Sequence, residues 1–225
     1  MRSRTFFTGI AACLLVLGSS VVFAKDSPVT AVSPDVALAR LKAGNARFVA
    51  TPVSKGKPTA VRRAETARAQ HPIAIIVGCA DSRTSPELIF DQSLGELFVV
   101  RTAGNLVDDY GLGSIEYAVD HLGTRLVVVL GHERCGAVKA AMESATAPGH
   151  VNSLVRDIQP AVVAAKTEQG DPLANTVKAN ARLMAEKIRK EADLGEHKSE
   201  VRIVSAYYDL DTGVVEWPDG EKGEK

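Results

Sequence analysis

Two thiols, one imidazole and a carboxylate–guanidinium pair fall within two short stretches. These are Cys79-Ala80-Asp81-Ser82-Arg83 and Gly131-His132-Glu133-Arg134-Cys135-Gly136. Cys79, His132 and Cys135 would together offer two sulfurs and one ring nitrogen. That donor set suits zinc with a fourth position left open. Asp81 and Arg83 leave the same turn as Cys79 and can stand behind or beside the ligands. A lone His-x-x-Cys pair would mean little, but here it follows Cys-x-Asp-x-Arg after a gap of 48 residues.

Each stretch is preceded by an apolar run, Ile73–Gly78 and Leu126–Gly131. Such continuous, mostly β-branched runs read as strands buried on both faces, as in parallel sheets. The candidate ligands would then sit at the carboxyl ends of two parallel strands, where open α/β sheets place their ligand crevices.

The elements that must hold this arrangement can be read in order. Ser33-Pro34-Asp35 starts a helix, with Ser33 as cap, that carries Leu38, Leu41 and Phe48 up to about Ala50. Residues 51–59 read as a loop and Ala60–Gln70 as a short charged helix with a solvated face. Thr84-Ser85-Pro86-Glu87 opens a short helix into Phe90, and Leu97–Val100 is a strand. Gly111-Leu112-Gly113-Ser114 lacks the third glycine of a dinucleotide loop and reads as a helix-entry turn, with the helix over Ser114–Leu122. A helix begins near Cys135 and passes Val138 and Met142. Ser153–Lys166 is helical in period, but Pro160 is expected to kink or interrupt it. Asp171–Ala192 is the clearest amphipathic helix. Val201–Tyr208 and Gly213–Trp217 read as a hairpin. The expected fold is α/β, a mostly parallel central sheet flanked by helices with an antiparallel C-terminal edge strand.

The chain has 225 residues, 45% of them hydrophobic and 24% charged, with a formal net charge of zero. That is enough for one domain with a sizeable core. It carries no electrostatic footprint of a nucleic-acid binder. Residues 1–24 read as a cleaved secretory signal. Arg2 and Arg4 form the positive start, Ile10–Phe23 the apolar stretch, and Val22-Phe23-Ala24 the cleavage site. A membrane anchor is the other reading, but the apolar run is short for a span. The expected product is an exported, periplasmic catalytic domain over residues 25–225, with no membrane attachment after cleavage. Cleavage takes Lys+Arg from 27 to 25 against 27 Asp+Glu and leaves Cys79 and Cys135 as the remaining cysteines. In an exported protein these two could form a disulfide. His132, Asp81 and Arg83 argue for metal instead, since a structural disulfide needs none of them.

Over roughly Asn45–Trp217 the sequence resembles the β-class carbonic anhydrases. The resemblance rests on Cys79–Arg83, Gly95–Arg101, Ala103-Gly104-Asn105, Glu116-Tyr117-Ala118 and Gly131–Gly136. It implies one Zn2+ per chain on Cys79, His132 and Cys135, with water at the fourth position, and reversible hydration of CO2 to bicarbonate. Asp81 and Arg83 would be the catalytic dyad, with Asp81 able to become a fourth ligand if its arginine contact is lost. Gln70 would bind substrate from a neighbouring subunit, Phe98 and Tyr117 would line the pocket, and Gly104 would leave room near the metal. The family is built on dimers, often paired into tetramers, so a homodimer or homotetramer is expected. A tryptophan that builds a regulatory bicarbonate site in one subgroup is Ile76 here. Hydrolysis of CS2 or COS on the same fold, and a purely structural zinc site, are the competing readings. The latter fits poorly with an ion-paired carboxylate beside the ligands. His71, His121, His150 and His197 have no partner at ligand spacing.

Overall fold

The computed structural model describes residues 31–50 and 59–218. The expected signal, the 51–58 loop and the last seven residues lie outside that range. Five strands form one sheet in the order β2-β1-β3-β4-β5. They are β1 (Ala74–Cys79), β2 (Leu97–Thr102), β3 (Leu126–His132), β4 (Arg202–Tyr208) and β5 (Val215–Glu216). The first four are parallel, and β5 pairs antiparallel with β4, Tyr208 opposite Val215. The α/β architecture with an antiparallel edge pair is therefore as expected.

Every residue of β1 and β3 is buried. The alternation of the pleat explains why both faces are apolar. Ile75, Val77 and Cys79 face one core together with α4 (Asp109–Asp120), α5 (Gly136–Glu143), α6 (Val151–Ala165) and α7 (Pro172–Glu191). Ala74 and Ile76 face the other, under α1 (Pro34–Ala50) and α3 (Pro86–Ile89). Each fully buried Ile or Val contributes roughly 1.5–3 kcal/mol of transfer free energy, so both layers are needed to hold the sheet.

The helix starts follow local chemistry. The Ser33 hydroxyl accepts from Val36 N at 3.4 Å, the cap expected for α1. Thr59 caps α2 (Ala60–Thr66), which ends four residues short of the expected Gln70. Asp171 accepts from Leu173 N and Ala174 N, and Pro172 sits in the first turn of α7.

Two expectations are corrected. Gly111–Ser114 is no entry turn, because α4 already starts at Asp109. Its cap is Asp108, which accepts from Gly111 N at 2.9 Å. Nor does Pro160 interrupt α6, which runs from Val151 to Ala165 with the proline inside. Pro160 and Arg156, whose carbonyl loses its helical donor, are both exposed, so water can take the vacated bond.

Candidate metal centre

Because β1 and β3 are neighbours in register, with Gly78 opposite Leu130, their carboxyl ends deliver Cys79 and His132 side by side. The chain then turns through Arg134, held at φ 51°, and Cys135 becomes the residue capping α5. The donor atoms of Cys79, His132 and Cys135 all lie within 4.8 Å of one another, and all three residues are buried. No disulfide joins the two thiols.

The cluster fits a soft, divalent metal ion such as zinc. His132 Nδ1 lies 2.9 Å from the Glu133 carbonyl, so it carries the proton and leaves the Nε2 lone pair free. Nε2 is buried and has no hydrogen-bond partner among the described residues. An orphaned buried nitrogen beside two sulfurs is the state a ligand takes when its partner is a metal. The two thiols are hydrogen-bonded to each other. A hydrogen bond from Cys135 holds Cys79 far below the ordinary thiol range, and the Gly104 N–H helps, against the opposing effect of burial. Cys135 is pushed upward by the same bond and by burial. A metal cation held here would take the place of the thiol proton and favour the thiolate form of both sulfurs.

Asp81 stands at the rim. Its Oδ2 lies 3.8 Å from His132 Nε2. Arg83 binds it in a fork, Nε to Oδ1 at 2.9 Å and Nη2 to Oδ2 at 2.8 Å, and the Arg83 backbone N–H adds a third bond at 3.0 Å. These bonds hold the Asp81 carboxyl well below the usual carboxylate range. Asp81 is thus in the arginine-paired arrangement, not that of a fourth ligand.

Sequence reasoning names Arg101 only as part of a motif. In the fold it braces the ligand turn. From β2 its Nε donates to Cys79 O at 2.8 Å and its Nη2 to Asp81 O at 2.6 Å. Thr84 Oγ1 donates to Asp81 O at 2.9 Å. The turn bearing ligand and carboxylate is therefore held from two sides. A further unanticipated link ties the metal loop to the β4–β5 turn. Arg134 forks onto Asp211 at 2.7 and 2.8 Å, and Glu133 Oε2 accepts from Leu210 N at 3.0 Å.

The other expected site residues fall differently. Gly104 is at the centre, but through its backbone: its N–H donates to Cys79 Sγ at 3.3 Å. Phe98 pairs with Ile75 across β1 and β2, four residues before the Thr102 that pairs with Cys79. That is about 13 Å back along the strand at 3.3 Å per residue. Tyr117 lies with Phe98, ring centroids 6.5 Å apart, and is half exposed. Gln70 is exposed and precedes the amino end of β1, the end opposite Cys79. Within one chain these three do not join the cluster.

A family model described as carbonic anhydrase matches residues 74–215. Over 135 residues the chain is 47% identical to a carbonic anhydrase of Mycolicibacterium smegmatis, covering 58% of this chain and 66% of that one. It is 49% identical over 135 residues to carbonic anhydrase 2 of Mycobacterium tuberculosis, covering 58% and 65%. The matched part thus spans just under two thirds of these relatives' length. Among solved structures, the Coccomyxa β-carbonic anhydrase in complex with acetazolamide superposes with a TM-score of 0.61 at 29% identity, covering 69% of this chain and 75% of that one. A β-carbonic anhydrase from the ascomycete Sordaria macrospora, described as tetrameric, gives 0.64 at 22% identity, covering 69% and 85%, and so shares the fold. With the Cys79–His132–Cys135 cluster and its Asp81–Arg83 pair inside the matched segment, the chain belongs to the β class of the carbonic anhydrase family.

Proposed function

We propose that this protein interconverts carbon dioxide and bicarbonate with a zinc ion held by Cys79, His132 and Cys135. The observation that carries the reading is the forked Asp81–Arg83 pair set 3.8 Å from His132 Nε2. A closed structural site has no use for a solvent-facing ionised carboxylate at that place. When bound, zinc supplies Lewis acidity that brings the ionisation of water close to neutral pH.

The chain's own residues do the rest. Asp81, ionised and without a proton to give, can only accept a hydrogen bond from an O–H group at the cluster, which fixes how that group faces CO2. Arg83 keeps the acceptor ionised and prevents it from rotating. Gly104 N–H and the Glu133 carbonyl hold Cys79 and His132 in orientation. Stopped-flow CO2 hydration across pH, with zinc measured on the same sample, tests the reading. About one zinc per chain and a rate that rises with pH are expected. Stoichiometric zinc without hydration would overturn it.

The active species is proposed to be at least a dimer. Gln70, Phe98 and Tyr117 lie away from their own cluster, and β2 is an outer strand of the sheet whose residues are mostly half-buried. Tyr110 on the adjoining α4 is 88% exposed. A second chain on this edge would cover the aromatic side chains and receive Gln70. Light scattering is expected to show a dimer or larger; a monodisperse, fully active monomer would refute the assignment. Export to the periplasm is proposed on the charged and apolar order of residues 2–24. Protein recovered from that compartment is expected to begin at Lys25, and a mature chain retaining Met1 would contradict export.

A further inference from the structure

We propose that Asn180 is a positioning residue for the metal centre, holding the Gly104 turn so that the Gly104 N–H stays on Cys79 Sγ. The inference rests on the metal reading above.

Asn180 lies on the face of α7 that packs into the main core and is 1% exposed. Its neighbours on that face are Val177, Ala181 and Met184. Among the described residues the amide makes one hydrogen bond: Nδ2 donates to Gly104 O at 2.8 Å. Asn180 Oδ1 is buried with no partner among the described residues. Leaving such an atom unpaired costs about 1–3 kcal/mol, so for stability alone an isosteric apolar side chain would serve as well or better.

The turn that Asn180 grips needs an outside hold. Ala103–Asn105 is a single 3-10 turn after β2, with Gly104 at φ 75° and Asn105 at φ 47°. Two successive left-handed residues, one of them not glycine, form a conformation the chain does not keep unaided. Thr102 Oγ1 closes the base of the turn onto Leu106 O. The amide of Asn105 itself is buried and makes no hydrogen bond among the described residues. That leaves the Gly104 carbonyl, and Asn180 is its side-chain donor.

Gly104 couples the two ends of this chain of contacts through one peptide unit on each side. If its carbonyl swings away from α7, its N–H swings off Cys79 Sγ. Space enforces the same placement, since a Cβ at Gly104 would lie 3.0 Å from Ile158 Cδ1 and 3.3 Å from Ala137 Cβ. The helix also touches the other half of the centre. Gly131, which precedes His132, sits so close that a Cβ there would meet Val177 Cγ1 at 2.8 Å. One face of α7 thus registers the Cys79 side by a hydrogen bond and the His132 side by close packing.

The physical consequence is electronic. A backbone N–H on a thiolate lowers the energy of its lone pairs and tunes how strongly it donates to a metal. The test uses the full protein loaded with cobalt(II), whose thiolate-to-metal absorption reports that lone-pair energy, and zinc release to a chelator. In Asn180→Leu the thiolate band is expected to move to lower energy and zinc extraction to quicken about tenfold. Asn180→Ala, which leaves space instead of filling it, should show the same displacement if the leucine variant folds poorly. Asn45→Ala removes another buried amide, beneath the other face of the sheet. It should lower stability and leave band and zinc release alone. A parental band that neither Asn180 variant moves overturns this inference only. A parental protein with no thiolate band overturns the metal reading and the inference with it.

Discussion

Asp81→Asn is expected to slow CO2 hydration by about a hundredfold or more, within the usual range for losing a positioned proton acceptor, while zinc stays near one per chain. The amide keeps the shape of the side chain but loses the charge that Arg83 grips by two side-chain bonds and one backbone bond. It also gains an N–H that can face the cluster the wrong way. None of the three clustered donors is touched, so metal content is expected to hold. The pH dependence sharpens the test. Arg83 keeps Asp81 ionised well below the usual carboxylate range, so the loss should be the same from about pH 6 to pH 9. A depressed carboxyl also stabilises the fold at every pH above its unfolded value of about 3.9, and that contribution disappears only as pH falls through the lowered one. Arg83→Ala should slow the reaction by a second route, because an unpaired carboxylate 3.8 Å from His132 Nε2 is free to turn onto the centre. Arg83→Lys replaces a planar fork by a point charge and should restore only part of the rate. Stopped-flow assays paired with zinc analysis decide the matter. Hydration at the parental rate in Asp81→Asn would remove the carboxylate from the reaction.

Gly44→Ala is expected to destabilise the fold by about 3 kcal/mol or more, at the upper end for overpacking. A Cβ at Gly44 would lie 1.8 Å from the Phe90 carbonyl oxygen and 2.8 Å from its carbon. Both are backbone atoms of a residue with no exposed surface, so neither can yield by a rotamer change. Helix α1 would have to lift away, and Asn45 would go with it. Asn45 alone ties three points: it donates to Ile89 O and Gly213 O and accepts from Val215 N. Gly113→Ala is the contrast. Gly113 lies inside α4 with nothing within 4 Å of an added Cβ, so alanine should gain about 0.5–1 kcal/mol. Urea unfolding midpoints that fall for Gly44→Ala and rise slightly for Gly113→Ala are expected. A Gly44→Ala midpoint equal to the parental one would mean that α1 does not seat on the Phe90 turn.

The clustered donors are legible because each is fixed by a local rule. An apolar run ends, a ligand follows, and parallel strands put such ends together. Cys79 and His132 need only β1 and β3 to be neighbours. Asn180 and Asp211 are not legible, because their contacts to Gly104 and Arg134 bridge 76 and 77 residues and leave no periodic trace. The start of α4 is hidden for a different reason. Its two glycines suggest an entry turn, while the cap that starts the helix is Asp108, three residues earlier. Pro160 shows the limit of a residue rule taken without exposure. A missing N–H need not interrupt a helix where the residues around the vacated bond, here Arg156 and Pro160, are exposed to water. Phe98 and Tyr117 match pocket positions by resemblance, yet sheet register puts Phe98 two pleats behind the ligand that it would have to approach, and Tyr117, on α4, packs beside Phe98.

The strand order β2-β1-β3-β4 has a kinetic consequence. No two parallel neighbours in this sheet can pair through a tight turn, so every parallel ladder in it waits for a crossover to close. The thiol from β1 and the imidazole from β3 meet only after the β2 excursion and α4 have been stowed. Such non-local pairing slows folding, since chain entropy is lost before contacts repay it. The chelating cluster is therefore expected to be completed late in folding. In the unfolded chain His132 and Cys135 are neighbours but Cys79 is far off in sequence, so a metal would meet the full donor set only once β1 and β3 are in register.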